Sequence, residues 1–193
     1  SANGVKFYNL DNEPDLWSDG NKGATHPEVH VCDPCVLEYK NKSVALSKAV
    51  KNVDPNAQML GPVSYGFNGY LSLQGAPDWS SQGAGYPWFL SYYLDKMRVA
   101  SNLEGRRLLD GLDVHWYPEA QDGANHRILD NISTTQMYNA RMQAPRTLWD
   151  AEYTYPNITY PNGEVSWINQ WYFDQYLPLL PRLKSDIQTY YPD

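Results

Sequence analysis

A carboxylate follows the first predicted strand of the chain, where it could act as a proton donor. Val5 to Leu10 is a short β-rich run, and the turn sequence Asn12-Glu13-Pro14 comes almost directly after it. A solvated surface turn is the ordinary interpretation of such a tripeptide. In a cleft, however, Glu13 could protonate a glycosidic oxygen while Asn12 hydrogen-bonds a sugar hydroxyl. We favour the cleft because of the elements that surround this turn.

A histidine and a tyrosine lie at the end of another predicted strand. Leu112 to Trp116 (LDVHW) has strand character, and His115 and Tyr117, two positions apart, share one face of the pleat. A hydrogen-bonded core histidine is the usual explanation for such a residue. At a strand end, His115 could instead orient a carboxylate, and we favour this supporting role.

Aromatic residues with a polar edge are frequent in this chain. Aromatic residues make up 14% of the sequence, with 7 Trp and 16 Tyr against 4 Phe. Such rings can stack on sugar CH groups while their edges bind hydroxyls, although each alone is more often a core residue. Trp167 and Trp171 are spaced i, i+4, so they could lie on the inward face of a helix. For this pair, core packing and substrate binding are equally favoured. The candidates for substrate binding are Trp17, Tyr65, Trp116, Trp149, Trp167 and Trp171.

Strands and helices alternate along the chain and must position these residues. A further strand is predicted at Ala57 to Val63, between the two strands named above. A helix is predicted to begin at Ser43 and to stop at Asp54-Pro55. Its apolar face is predicted to consist of Leu46, Val50 and Val53.

Three more helical segments are predicted. One runs from Trp88 to Leu103, with Gly105 as its stop. Ile128 to Met142 is predicted to be helical in part, and Pro181 to Tyr190 to form the last helix. The inward face of the segment from Trp88 to Leu103 is predicted to consist of Leu90, Tyr93, Leu94 and Met97.

The order strand, helix, strand, helix, strand, helix predicts an α/β fold with parallel strands joined by right-handed crossovers. The connections that leave strands are long, from Asp11 to Lys42 and from Ser64 to Pro87. Such loops form the sites of (β/α)8 barrels and of open doubly wound sheets. A complete barrel takes ~250 residues, and here three strands occupy all 193 residues. We therefore expect part of a barrel rather than an open three-layer sheet.

Composition argues against two classes of partner. The formal net charge is −7, from 15 Lys+Arg and 22 Asp+Glu, and no basic cluster stands out to bind phosphates. The longest apolar runs are only a few residues, far below the ~20 needed to span a bilayer. We expect neither a nucleic-acid partner nor a membrane association. The apolar fraction of 42% is enough to bury a core of ordinary size.

Eight segments, taken in order, resemble the middle of the catalytic domain of glycoside hydrolase family 44. They are FYNLDNEPDLW, THPEVH, SVALSKAVKNVDPNA, GPVSYGFNGYL, PWFLSYYLDKM, LLDGLDVHWYPEA, APRTLWDAEY and LLPRLKSDIQTYYPD. The resemblance spans nearly the entire chain. It implies a (β/α)8 TIM barrel, of which residues 1–193 form one incomplete segment, about strands four to six with their helices.

The resemblance also implies an activity. The family consists of retaining endo-β-1,4-glucanases and xyloglucanases, so the expected substrate is a β-1,4-glucan or xyloglucan and the expected location is extracellular. Glu13 matches the general acid/base after the fourth barrel strand, with Asn12, His115 and Tyr117 in support. No cofactor is required for this reaction. The alternative function is that of a non-catalytic carbohydrate-binding fragment that needs a complementary chain.

Retaining hydrolysis needs a second carboxylate ~5–5.5 Å from the first. The resemblance places this nucleophile at the end of the seventh barrel strand, beyond Asp193. The expected partners therefore include the remaining barrel segments, in the same chain or in another one. Glu152, in LWDAEYTY, is the rival nucleophile, and we rank it second because it precedes the helix that should lead into strand seven.

Four potential zinc ligands occur within ten residues of HPEVHVCDPC: His26, His30, Cys32 and Cys35. The two histidines match the family's THPxVH pattern and the two cysteines do not. Tetrahedral zinc is therefore the less favoured interpretation, and no metal site is predicted. In an extracellular enzyme class, a local Cys32–Cys35 disulfide is favoured over a free pair.

Overall fold

The structure, a computed structural model, describes residues 4–17, 35–118, 120–122, 124, 126–153 and 176–192. The chain forms two compact units. The first unit consists of Ser1–Trp116 together with Asp186–Asp193, and the second of Tyr117–Ser185. In the described part of the chain, no helix has the length and hydropathy needed to cross a bilayer.

A three-stranded parallel sheet forms the first unit's centre. Its strands are β1 (Phe7–Asn9), β2 (Gln58–Ser64) and β3 (Gly111–Val114), and β2 lies in the middle. All three were predicted within a few residues, and the pairings confirm that the strands are parallel. The carboxyl ends of the strands therefore meet at one edge of the sheet, where Glu13 and His115 follow β1 and β3.

Helices connect the strands of this unit: α1 (Val36–Val53), α2 (Phe67–Ser72), α3 (Trp79–Gln82) and α4 (Phe89–Glu104). The predicted loop between Ser64 and Pro87 thus contains two short helices. Helix α4 matches its prediction, because Gly105 closes it in the left-handed conformation at φ 69°. Its predicted inward face is buried at all four positions, Leu90, Tyr93, Leu94 and Met97.

Helix α1 begins at Val36, seven residues before the predicted start at Ser43. The carboxylate of Asp78, which is 42 positions away, accepts hydrogen bonds from the backbone N–H groups of Val36 (2.8 Å) and Leu37 (3.0 Å). At the other end, the guanidinium of Arg106 donates to the carbonyl of Lys51 at 2.9 Å. Distant side chains therefore satisfy both termini of α1, and local sequence cannot show this.

The predicted apolar face of α1 was wrong. Leu46 is 47% exposed and Val53 is 88% exposed. The buried positions after the first turn are instead Tyr39, Ser43, Ser47 and Lys51. Lys51 can be buried here because its Nζ lies 2.7 Å from Asp110 Oδ2.

The second unit contains α5 (Thr135–Gln143) and a 3-10 helix (Ala144–Leu148), as expected for a segment that is helical in part. The Thr134 hydroxyl caps α5 by accepting from the N–H of Met137 at 3.2 Å. The last helix, α6 (Leu179–Tyr190), begins two residues before its predicted start and ends as predicted.

The capping role of Asp78 is testable by substitution. We expect Asp78→Ala to lower the free energy of unfolding by about 1–2 kcal/mol, because two N–H groups of α1 lose their acceptor. Urea titration measures the loss, and hydrogen exchange should locate it at Val36 and Leu37. Asp54→Ala, at the opposite end of α1, is the matched control. Unchanged exchange at those two amides in Asp78→Ala would contradict the capping role.

Candidate active site

Glu13 lies in an unusual backbone conformation at the carboxyl end of β1. Its φ of 50° and ψ of 55° are left-handed, and it precedes the 3-10 helix Pro14–Leu16. The N–H of Glu13 donates to the carbonyl of Val63 at 2.9 Å, and its carbonyl accepts from the N–H of Leu16 at 2.9 Å. The backbone of Glu13 is therefore fixed on both sides.

Val63, the acceptor for Glu13, is itself irregular. The register between β2 and β3 shifts between Pro62 and Ser64, so Val63 is an extra residue in the ladder. It has φ 58°, and a β-branched residue rarely adopts a positive φ. The bulge makes the carbonyl of Val63 available to Glu13. Backbone strain of this kind persists only where the surrounding structure enforces it, and it is concentrated at functional sites.

The side chains of Glu13 and His115 contact each other directly. Glu13 Oε1 lies 2.6 Å from His115 Nδ1, although the two residues are 102 positions apart. The Glu13 side chain is 19% exposed and that of His115 is 31% exposed. His115 is thus half-buried rather than buried, and the pair can be reached from solvent. One proton can lie between these atoms, either on Nδ1 or on the carboxyl oxygen.

The backbone of His115 is held from two sides. Its N–H donates to the carbonyl of Ser64 at 2.9 Å, and its carbonyl accepts a hydrogen bond from the Tyr70 hydroxyl. These contacts come from the end of β2 and from α2. The ends of β1 and β3 are therefore positioned with respect to the same central strand.

Trp17 has a supporting contact to the residue before Glu13. Its indole N–H donates to the carbonyl of Asn12 at 3.1 Å, and its ring packs edge-on against Tyr39, with 5.8 Å between the ring centroids. The Tyr39 hydroxyl in turn lies 2.6 Å from the carbonyl oxygen of Pro62 and 3.0 Å from that of Leu10. Burial raises the pKa of the Tyr39 phenol well above its usual value, so this group remains a neutral donor.

The other predicted site residues are distributed over both units. Tyr65 follows β2 and is 36% exposed, and Trp116 follows His115 and is half-buried. In the second unit, Tyr117 is 47% exposed and Trp149 is 59% exposed. Trp167 and Trp171 lie outside the described residues.

Asp15 is a buried site residue that no sequence signal marks. It is fully buried, and its Oδ1 atom accepts from the N–H of Tyr65 at 2.8 Å. A carboxylate in a turn is normally solvated, so sequence reasoning gives it no role. The loop after β2 contributes to this burial through the N–H of Tyr65.

Two sequence hypotheses concern residues beyond the Glu13–His115 pair. Glu152 lies in the second unit, where its N–H donates to Asp150 Oδ1 at 3.0 Å. Cys35 is disulfide-bonded, whereas Cys32, His26 and His30 lie outside the described residues. Within the described ranges, no group of three or more His, Cys, Asp or Glu residues could hold a metal ion.

Proteins of one known family are similar to this chain in sequence and in fold. The family model of glycoside hydrolase family 44 matches residues 1–120. This chain belongs to glycoside hydrolase family 44. It is 51% identical to the family 44 endoglucanase Cel44A of Clostridium thermocellum, over 98% of this chain and 34% of that one, with a TM-score of 0.83.

Two other family 44 relatives are similar over the whole chain. A Paenibacillus polymyxa xyloglucanase, solved with xyloglucan, is 50% identical over 100% of this chain and 34% of that one, with a TM-score of 0.84. Endoglucanase A of Paenibacillus lautus is 50% identical over 192 residues, which are 100% of this chain and 25% of that protein. The chain thus spans about a third or less of these family 44 relatives, and its three-stranded parallel sheet fits a fragment of their fold.

The contact between Trp17 and Asn12 predicts how a substitution of Trp17 affects catalysis. Trp17→Phe keeps the ring against Tyr39 and removes the N–H that holds the Asn12 carbonyl. Loss of this one hydrogen bond should lower kcat of the complete protein by about 3- to 10-fold, with little change in KM because the phenyl ring can still stack on a ligand. Steady-state kinetics measures both constants, and an unchanged kcat would contradict a role for the indole N–H.

Proposed function

We propose that this chain is the central part, about strands four to six, of a retaining endo-β-1,4-glucanase or xyloglucanase (β/α)8 barrel, with Glu13 as its general acid/base. The contact of 2.6 Å between Glu13 and His115, at the carboxyl edge of parallel strands, carries this proposal. The exposure of Phe7 (55%) on β1 supports an incomplete sheet that continues in the rest of the protein. Those remaining barrel segments are the proposed partners, in the same chain or in another one.

In the first step, the carboxyl group of Glu13 gives its proton to the glycosidic oxygen. A second carboxylate attacks the anomeric carbon as the bond to the leaving sugar breaks, and a glycosyl-enzyme ester forms. In the second step, the Glu13 carboxylate takes a proton from water as the water oxygen displaces that ester. His115 positions the Glu13 carboxyl group through Nδ1 in both steps.

The second carboxylate is proposed to lie in the part of the protein that follows residue 193. The relatives of this chain are about three times as long, which leaves room for the missing strands. Glu152 remains the second choice.

The substrate is proposed to be a β-1,4-glucan or xyloglucan, in keeping with the endoglucanases and the xyloglucan-bound xyloglucanase among the relatives. Asn12 and Tyr117 are proposed to assist at the reacting sugar. The proposed sugar platforms are Trp17, Tyr65, Trp116, Trp149, Trp167 and Trp171. Secretion is proposed because Cys35 is disulfide-bonded and because disulfides persist in oxidising compartments.

A non-catalytic carbohydrate-binding fragment is the second candidate, favoured by the exposed strand β1 and the exposed aromatic residues Tyr65 and Trp149. Affinity electrophoresis of the 193-residue chain in a gel that contains glucan tests it. Retarded migration without released sugar supports binding alone, and unretarded migration contradicts it.

The general acid role predicts the effect of Glu13→Gln in the complete protein. This change keeps the side-chain shape and removes the transferable proton, so kcat on β-1,4-glucan should fall by about 10²- to 10⁴-fold. Glu152→Gln tests the second-choice nucleophile and should stay within about twofold if the nucleophile lies elsewhere, because a surface change costs little. The assignment of Glu13 is wrong if Glu13→Gln keeps its turnover.

The positioning role of His115 predicts a smaller fall in kcat than the one expected for Glu13→Gln. His115→Ala removes one hydrogen bond to an ionisable carboxyl group, and kcat should fall by about 10- to 100-fold. His115→Asn can place an amide near the former Nδ1 position and should recover part of the rate. An unchanged kcat in His115→Ala, measured over the full pH range of activity, would show that Glu13 needs no such contact.

A further inference from the structure

Asp15 is connected to the backbone of two neighbouring segments although it lies only two residues after Glu13. Its carboxylate accepts the N–H of Tyr65 at 2.8 Å, directly beyond β2. Glu13 itself donates to Val63, which precedes Tyr65 by two positions, at 2.9 Å. Residue 13 is thus hydrogen-bonded to residue 63, and residue 15 to residue 65, as in a pair of parallel strands. In the second of these hydrogen bonds the acceptor is the side chain of Asp15, where a regular strand would use a backbone carbonyl.

Helix α2 packs against the other oxygen of the same carboxylate. A Cβ atom built on Gly69 would overlap Asp15 Oδ2, and it would also lie 3.2 Å from the Cβ of Ser64. Only glycine leaves room for the carboxylate at this point. Asp15 therefore lies between the turn after β1, the loop after β2 and the first turn of α2.

Burial of this carboxylate has an energetic cost that a purely surface turn would avoid. Asp15 is fully buried, and a carboxyl group taken out of water is destabilising unless it is hydrogen-bonded. The left-handed backbone of Glu13 is a second unfavourable contribution. Such costs are retained where the geometry that they enforce is needed, and here that geometry is the contact between Glu13 and His115.

We propose that Asp15 is a positioning residue for the reaction: its carboxylate holds the turn after β1 against Tyr65 and Gly69, so that Glu13 stays at His115 and at the oxygen that it protonates. This inference rests on the proposed function of Glu13 as general acid/base. Because its side chain is fully buried, Asp15 acts through the backbone of residues 13 to 15.

The test compares two substrates in the complete protein. A β-1,4-glucan has a poor leaving group that must be protonated, whereas a dinitrophenyl β-cellobioside has a leaving group that needs no proton. The ratio of kcat/KM for the two substrates therefore reports protonation by Glu13. A displacement of Glu13 by about 1 Å can cost about 100-fold in a step that depends on its position.

We expect Asp15→Ala to lower this glucan-to-aryl ratio by about 10- to 100-fold. Asp15→Asn keeps an oxygen that can accept from Tyr65 and should recover most of the ratio. Gly69→Ala, which displaces the carboxylate from the other side, should lower the ratio as Asp15→Ala does. Gly66→Ala is its matched control, because a Cβ atom at Gly66 meets no atom within 4 Å, and it should leave the ratio unchanged.

A second control separates positioning from the general effect of losing a buried carboxylate. Asp186 on α6 is also buried, and Asp186→Ala should lower the melting temperature without changing the ratio. If Asp15→Ala fails to fold, Gly69→Ala and Asp15→Asn decide the question. An unchanged ratio in Gly69→Ala, or a ratio that falls equally in Asp186→Ala, overturns the role of Asp15.

The same assay separates failure of this inference from failure of the proposed function. Glu13→Gln should lower the ratio whether or not Asp15 has a role. A lowered ratio in Glu13→Gln with unchanged ratios in Asp15→Ala and Gly69→Ala overturns only the positioning role. An unchanged ratio in Glu13→Gln overturns the general acid assignment, and the role of Asp15 with it.

Discussion

The hydrogen bond between Glu13 and His115 requires two strand ends that are far apart in sequence to stay fixed within a fraction of an ångström. At 2.6 Å, the two atoms can share one proton, and small displacements would lengthen the contact beyond this range. Neither side chain can enforce this by itself, because both are partly exposed. The geometry is set instead by the backbone, which β2 holds between the two ends.

The carboxyl end of β2 holds the backbones of Glu13 and His115 at this fixed separation. Val63 forms a bulge whose carbonyl accepts from Glu13, and Ser64, the next residue, accepts from the N–H of His115. Two adjacent carbonyls of one strand thus hold the backbones of both members of the pair. Around them, Tyr39 and Asp15 hold the same strand end through side chains that are almost completely withdrawn from water. The strain at Val63 and the burial of the Asp15 carboxyl group are costs of this arrangement.

Sequence reasoning predicts the elements whose signals are local. The apolar period and the glycine stop define α4, and β-rich runs with turn signals define all three strands. Because parallel strands place their carboxyl ends together, the proximity of Glu13 and His115 also follows from their positions after predicted strands. The motifs that resemble family 44 add the role expected of Glu13.

The features that sequence reasoning misses depend on contacts made across the fold. The start of α1 requires a cap from Asp78, and its inward face requires a partner for Lys51. The Val63 bulge and the burial of Asp15 exist only once β1, β2 and α2 have packed together. No local pattern in those residues differs from that of an ordinary turn or strand. The detailed geometry of the site therefore depends on tertiary contacts, although its two principal residues, Glu13 and His115, can be predicted from the sequence.

The configuration of the product formed in the presence of azide tests the central claim most directly. In the complete protein with Glu13→Ala, azide can replace water in the second step because it needs no general base. A general acid/base at Glu13 predicts that added azide accelerates turnover of an activated aryl cellobioside and that NMR identifies the product as the β-glycosyl azide. An α-glycosyl azide would make Glu13 the nucleophile, and the absence of any azide product would remove Glu13 from the reaction.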